Sequence, residues 1–305
     1  MRDGLLLSAF GSPDVRQING IGGGDSHTSK VMIIARSTRP DCDVDYTFGQ
    51  VGVTVPRVDW KGNCGNLTAA VGMYAVDEGL VPLVEPVTQV RAFNTNTQKR
   101  IFIDVPISGR HAAVLGECAI DGVPGTGARY LVDFRESVGA GTGTLLPTGH
   151  ARDTIRWDGR EVEVSVVDVA NLTVFVRARD VGLRGAELAA QLNADQGLLD
   201  RLEVLRGLLA ERLGIVPDWR RAADLSPVVP FLCLVASPAD YLAADGRPIA
   251  AGDVDVVSRP LSSQKAHKSH QATVGVCVSV AARLPGTVVH EVARPDDGTG
   301  RVRIG

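Results

Sequence analysis

A cysteine set among glycines and asparagines at the mouth of an apolar stretch is the sharpest chemical signal in the chain: Gly62-Asn63-Cys64-Gly65-Asn66, followed by Leu67-Thr68-Ala69-Ala70. The apolar run predicts a helix over Leu67–Glu78. At such a helix start the unpaired N–H groups and the positive end of the dipole can hold a carboxylate and lower the pKa of a thiol. Gly65 lets a ligand approach the backbone closely. The same residues also read as a plain helix start, with Asn66 as N-cap and Cys64 buried.

A second polar loop, Gly20 to Lys30, ends on the β-branched run that starts at Val31. It superficially suggests phosphate binding, but a Walker loop needs Gly-Lys-Ser/Thr opening a helix, and here Ser29-Lys30 opens a strand. Lys30 reads either as a solvated charge at a strand edge or, if buried near a dipole, as a neutral amine able to act as general base. In the second half, Leu261 to His270 precedes an apolar stretch over Ala272–Ala282 and takes the place of the first glycine-rich turn. His267 and His270 are three apart, yet no nearby carboxylate or cysteine completes a ligand set, so no metal is expected. A Gly-x-Ser-x-Gly elbow is absent as well, which argues against a hydrolase.

Strand-length runs rich in Val and Ile, such as Lys30–Ala35, Ile101–Ile107 and Val162–Val167, must position these residues. Helices are predicted over Leu67–Glu78, Ala186–Asn193, Leu198–Leu213 and Ala272–Ala282. The fold class is therefore α+β. The flexible Gly139-Ala140-Gly141-Thr142-Gly143 places a domain boundary so that the halves are 1–139 and 140–305. Each half carries Asp-Val-Asp at a strand start, Asp43 to Asp45 and Asp253 to Asp255, which suggests a duplicated domain.

With 44% hydrophobic and 22% charged residues and a net charge of −3, the chain has core material but no electrostatic footprint for nucleic acid or an anionic membrane. The start of the chain is too short and acidic for a signal peptide, and no stretch approaches a membrane span, so a cytoplasmic protein is expected. Five scattered cysteines without a Cys-x-x-Cys pair predict free thiols.

Several motifs combine in order: Gly11-Ser12-Pro13-Asp14, the Gly22–Lys30 loop, Arg39-Pro40-Asp41, Asp43-Val44-Asp45-Tyr46 and Gly62 to Asn66. They continue through Leu146-Pro147-Thr148-Gly149, Val174-Phe175-Val176, Ala239-Asp240-Tyr241, Arg259 to His267 and Ala282 to Thr287. In this arrangement nearly the whole chain resembles the PrpF family, the 2-methylaconitate cis-trans isomerases with the related 4-oxalomesaconate tautomerases and 3-methylitaconate isomerases. The resemblance implies a diaminopimelate epimerase-like fold, two similar domains each with a mixed, strand-rich sheet around a central helix and the active site in the cleft between them. It also implies cofactor-independent isomerisation of unsaturated di- and tricarboxylic acids, with a small unsaturated carboxylate as substrate. By that resemblance Lys30 is the proton-transfer residue and Cys64 faces the substrate. Ser26, Thr28, Asn63, Gly65 and Asn66 line the first-domain side, and Ser262 and His267 contribute from the second.

The chain departs from the family pattern at both termini, lacking the usual Met-Arg-Gly-Gly-Thr-Ser-Lys-Gly opening and the His-Pro-Ser-Gly continuation. Ser263-Gln264 stands for the usual Met-Gly, and Asn171-Leu172 for Asn-Pro. An alternative expectation is a truncated, impaired carboxylate-binding or accessory paralogue. An amino-acid racemase or epimerase would need two opposed groups, usually cysteines, and Ser262 and Ser263 occupy the second position.

Overall fold

Alternating apolar residues in the first half and continuous apolar runs in the second build two different sheets, and the computed structural model describes all of residues 1–305. The chain divides into two units, Met1–Ser137 and Val138–Gly305. The first contains α1 (Arg2–Phe10), β1 (Lys30–Arg36), β2 (Val44–Val51), β3 (Val58–Asp59), α2 (Gly65–Asp77), β4 (Val87–Asn94), β5 (Lys99–Ser108), β6 (His111–Ala112) and β7 (Leu131–Asp133). Its strand order is β1-β2-β4-β5-β6, with β3 beside β2 and β7 beside β5. β2 and β4 are parallel and their connection carries α2, as a parallel pair requires.

Every second residue of β4 is buried, and Val44, Tyr46 and Phe48 of β2 and Ile101, Ile103 and Val105 of β5 are also inward. This gives one apolar face. α2 covers it with Thr68, Val71, Gly72, Ala75 and Val76. A Cβ on Gly72 would lie 2.5 Å from Ile103 Cγ2, so the helix seats this closely only because that residue has no side chain.

The second unit contains β8 (Asp153–Trp157), β9 (Arg160–Val169), β10 (Asn171–Arg177), α3 (Ala189–Ala194), α4 (Gln196–Arg212), α5 (Ala222–Leu225), β11 (Phe231–Ala236), β12 (Tyr241–Leu242), β13 (Pro248–Ile249), β14 (Val257–Ser262), β15 (Lys265–Ala266), α6 (Ala272–Ala282) and α7 (Val288–Val292). The main sheet runs β15-β14-β11-β10-β9-β8, parallel only between β10 and β11. β10 is buried along its whole length because both faces are covered. Leu199, Leu202, Leu205 and Leu209 of α4 pack with Val164, Val174 and Leu232, while Val274, Cys277, Val278 and Ala281 of α6 pack with Val167, Phe175 and Val235.

One ion-pair construction occurs in both units. In the first, Asp43 accepts from Arg91 N at 2.8 Å, Nε at 3.2 Å and Nη2 at 2.7 Å, and Asp43 N donates to the Arg91 carbonyl at 2.7 Å. In the second, Asp255 accepts from the same three nitrogens of Arg303 at 2.8, 3.2 and 2.7 Å, and Asp255 N donates to the Arg303 carbonyl at 2.8 Å. The following residues pair in parallel in both cases, Val44 with Ala92 and Val256 with Ile304. The clamp matches Asp43 with Asp255, so the two Asp-Val-Asp triplets correspond with an offset rather than residue for residue as their shared letters suggest.

The predicted helices occur with shifted ends except Ala272–Ala282, whose bounds are unchanged. α1, α5 and α7 were not predicted. α5 and α7 have four and five residues, too few for a helical period to show.

Candidate active site

Two loops reach the same end of the first sheet. β1 begins at Lys30 opposite Gln50, and β3 ends at Asp59, also opposite Gln50. The loop before Lys30 is tied down from several directions. Gln50 Nε2 donates to the Ser26 carbonyl at 3.0 Å and the Ser29 carbonyl at 2.9 Å. Buried Gln17 accepts from Ser29 Oγ at 2.7 Å and Gly24 N at 2.9 Å, and a Cβ on Gly22 would sit 2.1 Å from the Gln17 side chain. Thr28 Oγ1 is directed at the Gly22 and Asp25 carbonyls, so this hydroxyl holds the loop. Ser26 and Thr28 are exposed, and Lys30 is half-exposed rather than buried.

After Asp59 the chain runs through Trp60 into α2. Asn96 Nδ2 donates to the Trp60 carbonyl at 2.6 Å and the Phe48 carbonyl at 2.9 Å, clamping this approach onto β2. The N-cap of α2 is Cys64, in extended conformation, not Asn66, which is exposed in the first turn. Cys64 is half-exposed rather than buried, and Asn63 and Gly65 on either side of it are buried. No side chain caps α2, which leaves its first-turn N–H groups without a capping side chain.

Beneath this turn lies a polar group that sequence patterning did not single out. Tyr46 is fully buried; Asn94 Nδ2 donates to its hydroxyl at 3.0 Å, and Thr68 Oγ1 lies 3.3 Å from that hydroxyl. Thr68 Oγ1 donates to the Cys64 carbonyl at 2.8 Å, and the Asn63 side chain also hydrogen-bonds the phenol. Burial raises the Tyr46 pKa and outweighs the hydrogen bonds with Thr68 and Asn94 that oppose it, so the group stays a protonated donor.

In the second unit, Ser262 ends β14 and is half-exposed. Ser263 and Gln264 both take positive φ, 50° and 61°, as the two central residues of a tight hairpin turn between β14 and β15. His267 N donates to the Pro260 carbonyl at 2.9 Å, and its Nδ1 meets the Ser269 carbonyl. The residue that caps α6 as Cys64 caps α2 is Gln271. That corrects the placing of Ser262 and Ser263 at the position matching Cys64, because the hairpin intervenes before the helix. The strand matching β1 through the clamp is β11, which starts at Phe231 where β1 starts at Lys30. The proton-transfer candidates thus belong to the first unit, where Lys30 and Cys64 have no like residue at the matching positions of the second.

The sequence model of the PrpF family, described as PrpF protein, matches residues 1–305. The 3-methylitaconate isomerase of Eubacterium barkeri is 45% identical over 306 residues, covering 100% of this chain and 80% of that protein. The 2-methyl-aconitate isomerase of Shewanella oneidensis is 36% identical over 323 residues, covering 100% and 81%. A crystal structure of methylitaconate-delta-isomerase matches with a TM-score of 0.84 at 45% identity, covering 100% of this chain and 79% of that one. A hydroxyproline epimerase from Agrobacterium vitis, at TM-score 0.53 and 12% identity over 96% of this chain and 67% of that one, shares the fold alone. No helix is long and apolar enough to cross a membrane.

Proposed function

The chain belongs to the PrpF family and is an isomerase, and on that premise we propose that it moves an allylic proton of an unsaturated di- or tricarboxylic acid. The observation that carries this reading is the uncapped start of α2, with Cys64 as its N-cap, at the same end of the sheet as Lys30. The first-turn N–H groups after Cys64, with Asn63 and Asn66, hold a substrate carboxylate. Lys30 takes a proton from the carbon next to the double bond. The electron pair left behind spreads into the carboxylate, giving a dienolate whose negative charge the helix-start N–H groups stabilise. Return of a proton at the far end of the dienolate, from the Cys64 thiol or the Lys30 ammonium, shifts the double bond. Rotation before return changes cis to trans instead. If Cys64 supplies the proton, its thiolate is reprotonated from the Lys30 ammonium, so both groups end as they began.

Ser26 and Thr28 act in this scheme through the loop that delivers Lys30, and Ser262 and His267 are proposed as substrate contacts. 3-Methylitaconate and 2-methylaconitate, the acids named for the relatives, are the first substrates to try. Purified protein should convert at least one of them, followed by proton NMR. A folded protein that converts neither, nor trans-aconitate, would refute this substrate class.

A further inference from the structure

Cys64 is half-exposed in the turn before α2, yet that turn rests on a directed string of buried hydrogen bonds. Asn94 donates to Tyr46, so the Tyr46 proton is available to Thr68. Thr68 spends its own proton on the Cys64 carbonyl, which leaves its oxygen to accept from Tyr46. Tyr46, Thr68 and Asn94 are each 0% exposed, so water does not compete for these bonds.

The second unit repeats the construction with different residues. Tyr46 stands three residues after the clamp aspartate Asp43, and Ser258 stands three after Asp255. Ser258 Oγ lies 2.9 Å from His270 Nε2. His270 immediately precedes the N-cap of α6, as Asn63 immediately precedes the N-cap of α2. In both units a buried hydroxyl at one strand position therefore holds the residue in front of the helix cap. An aromatic placed only to fill the core would not need its oxygen matched in this way.

Resting on the assignment of Cys64 to the reaction, we infer that Tyr46 is a positioning residue whose hydroxyl fixes the Asn63-Cys64 turn through Asn63 and Thr68. The direction of the Cys64 carbonyl sets the plane of the next peptide, and with it the aim of the Gly65 N–H, and holding that carbonyl fixes the backbone that carries the thiol. Small misplacement of reacting groups is costly to rate.

The test compares full-length wild type with Tyr46→Phe, Thr68→Val and Thr68→Ser, each first shown to be folded by circular dichroism. Activity is read on whichever named acid the wild type converts, and alkylation of Cys64 by iodoacetamide is read across pH by peptide mass spectrometry, which separates it from the other cysteines. Tyr46→Phe should lower kcat by on the order of 10- to 100-fold with KM little changed, and alter the rate and pH profile of Cys64 alkylation. Thr68→Val should behave alike, and Thr68→Ser, which keeps the hydroxyl, should return to near wild type. If Tyr46→Phe fails to fold, the Val and Ser variants at Thr68 decide. Wild-type kcat and alkylation in Tyr46→Phe, or equal losses in Thr68→Val and Thr68→Ser, would overturn the inference. Loss of activity in Cys64→Ser alongside a normal Tyr46→Phe would reject this role alone. Full activity in both Cys64→Ser and Lys30→Ala would instead reject the reaction scheme.

Discussion

Just before α6, an imidazole is largely enclosed, with no acid among the groups that shift it. His270 is pushed down to about 4, chiefly by burial, with the nearby Arg259 charge acting in the same direction and a backbone contact at Gln271 opposing. An unfolded histidine titrates near about 6.5, so between these values the unfolded chain binds more protons and stability falls as pH is lowered. The loss across that window should be on the order of 3 kcal/mol. It should shrink in His270→Asn, which keeps a polar partner for Ser258 but does not titrate. Denaturation curves at pH 7 and pH 4.5 measure it, and an unchanged pH dependence in the variant would contradict the assignment. Cys64 was legible from sequence because a cysteine among glycines ahead of an apolar run is a local pattern. Lys30 acquired its role only through the family resemblance, since a lysine opening a strand is usually a surface charge. Tyr46 stood in the Asp43-Val44-Asp45-Tyr46 motif without a role, because a tyrosine in an apolar strand looks like ordinary core until Asn94, brought near by the parallel pairing of β2 and β4, is seen to meet it.

Close seating of α2 on β5 depends on Gly72. A methyl there meets Ile103 Cγ2 at 2.5 Å and Val105 Cγ2 at 2.9 Å, within a sheet face that is fully buried. Gly72→Ala should therefore cost about 1–3 kcal/mol through overpacking, although alanine is the better helix former. A lower urea midpoint with unchanged slope is the expected result, and a raised midpoint would mean that the helix shifts freely. Helices α2, α4 and α6 were readable because each carries an apolar run of useful length, and α6 met its predicted bounds. The start of α2 was misjudged. Asn66 is the stronger capping residue by type, but a tertiary hydrogen bond from Asn96 and a local one from Thr68 to the Cys64 carbonyl hold the chain so that the helix starts at Gly65.

Across the whole chain, the two aspartate–arginine clamps join residues 48 apart in both units. Hydrogen bonds from Arg303 hold the Asp255 carboxyl below the usual range, and at Asp43 burial opposes but is outweighed by Arg91. Asp43→Asn and Asp255→Asn should each destabilise by about 1–3 kcal/mol, as expected when a charge-assisted pair is removed. Equilibrium denaturation of each variant checks this, and a loss at one clamp only would deny that they are equivalent. The duplication was partly legible, since the Asp-Val-Asp triplets pointed to it, but their register was not. The partner that fixes the register lies a whole helix away in the first unit and near the last residue in the second. The central claim, that Lys30 moves a carbon-bound proton, is tested most directly in deuterated water. Wild type with 3-methylitaconate or 2-methylaconitate should incorporate deuterium at the allylic carbon by NMR, and folded Lys30→Ala should not; exchange at the wild-type rate in Lys30→Ala would contradict it.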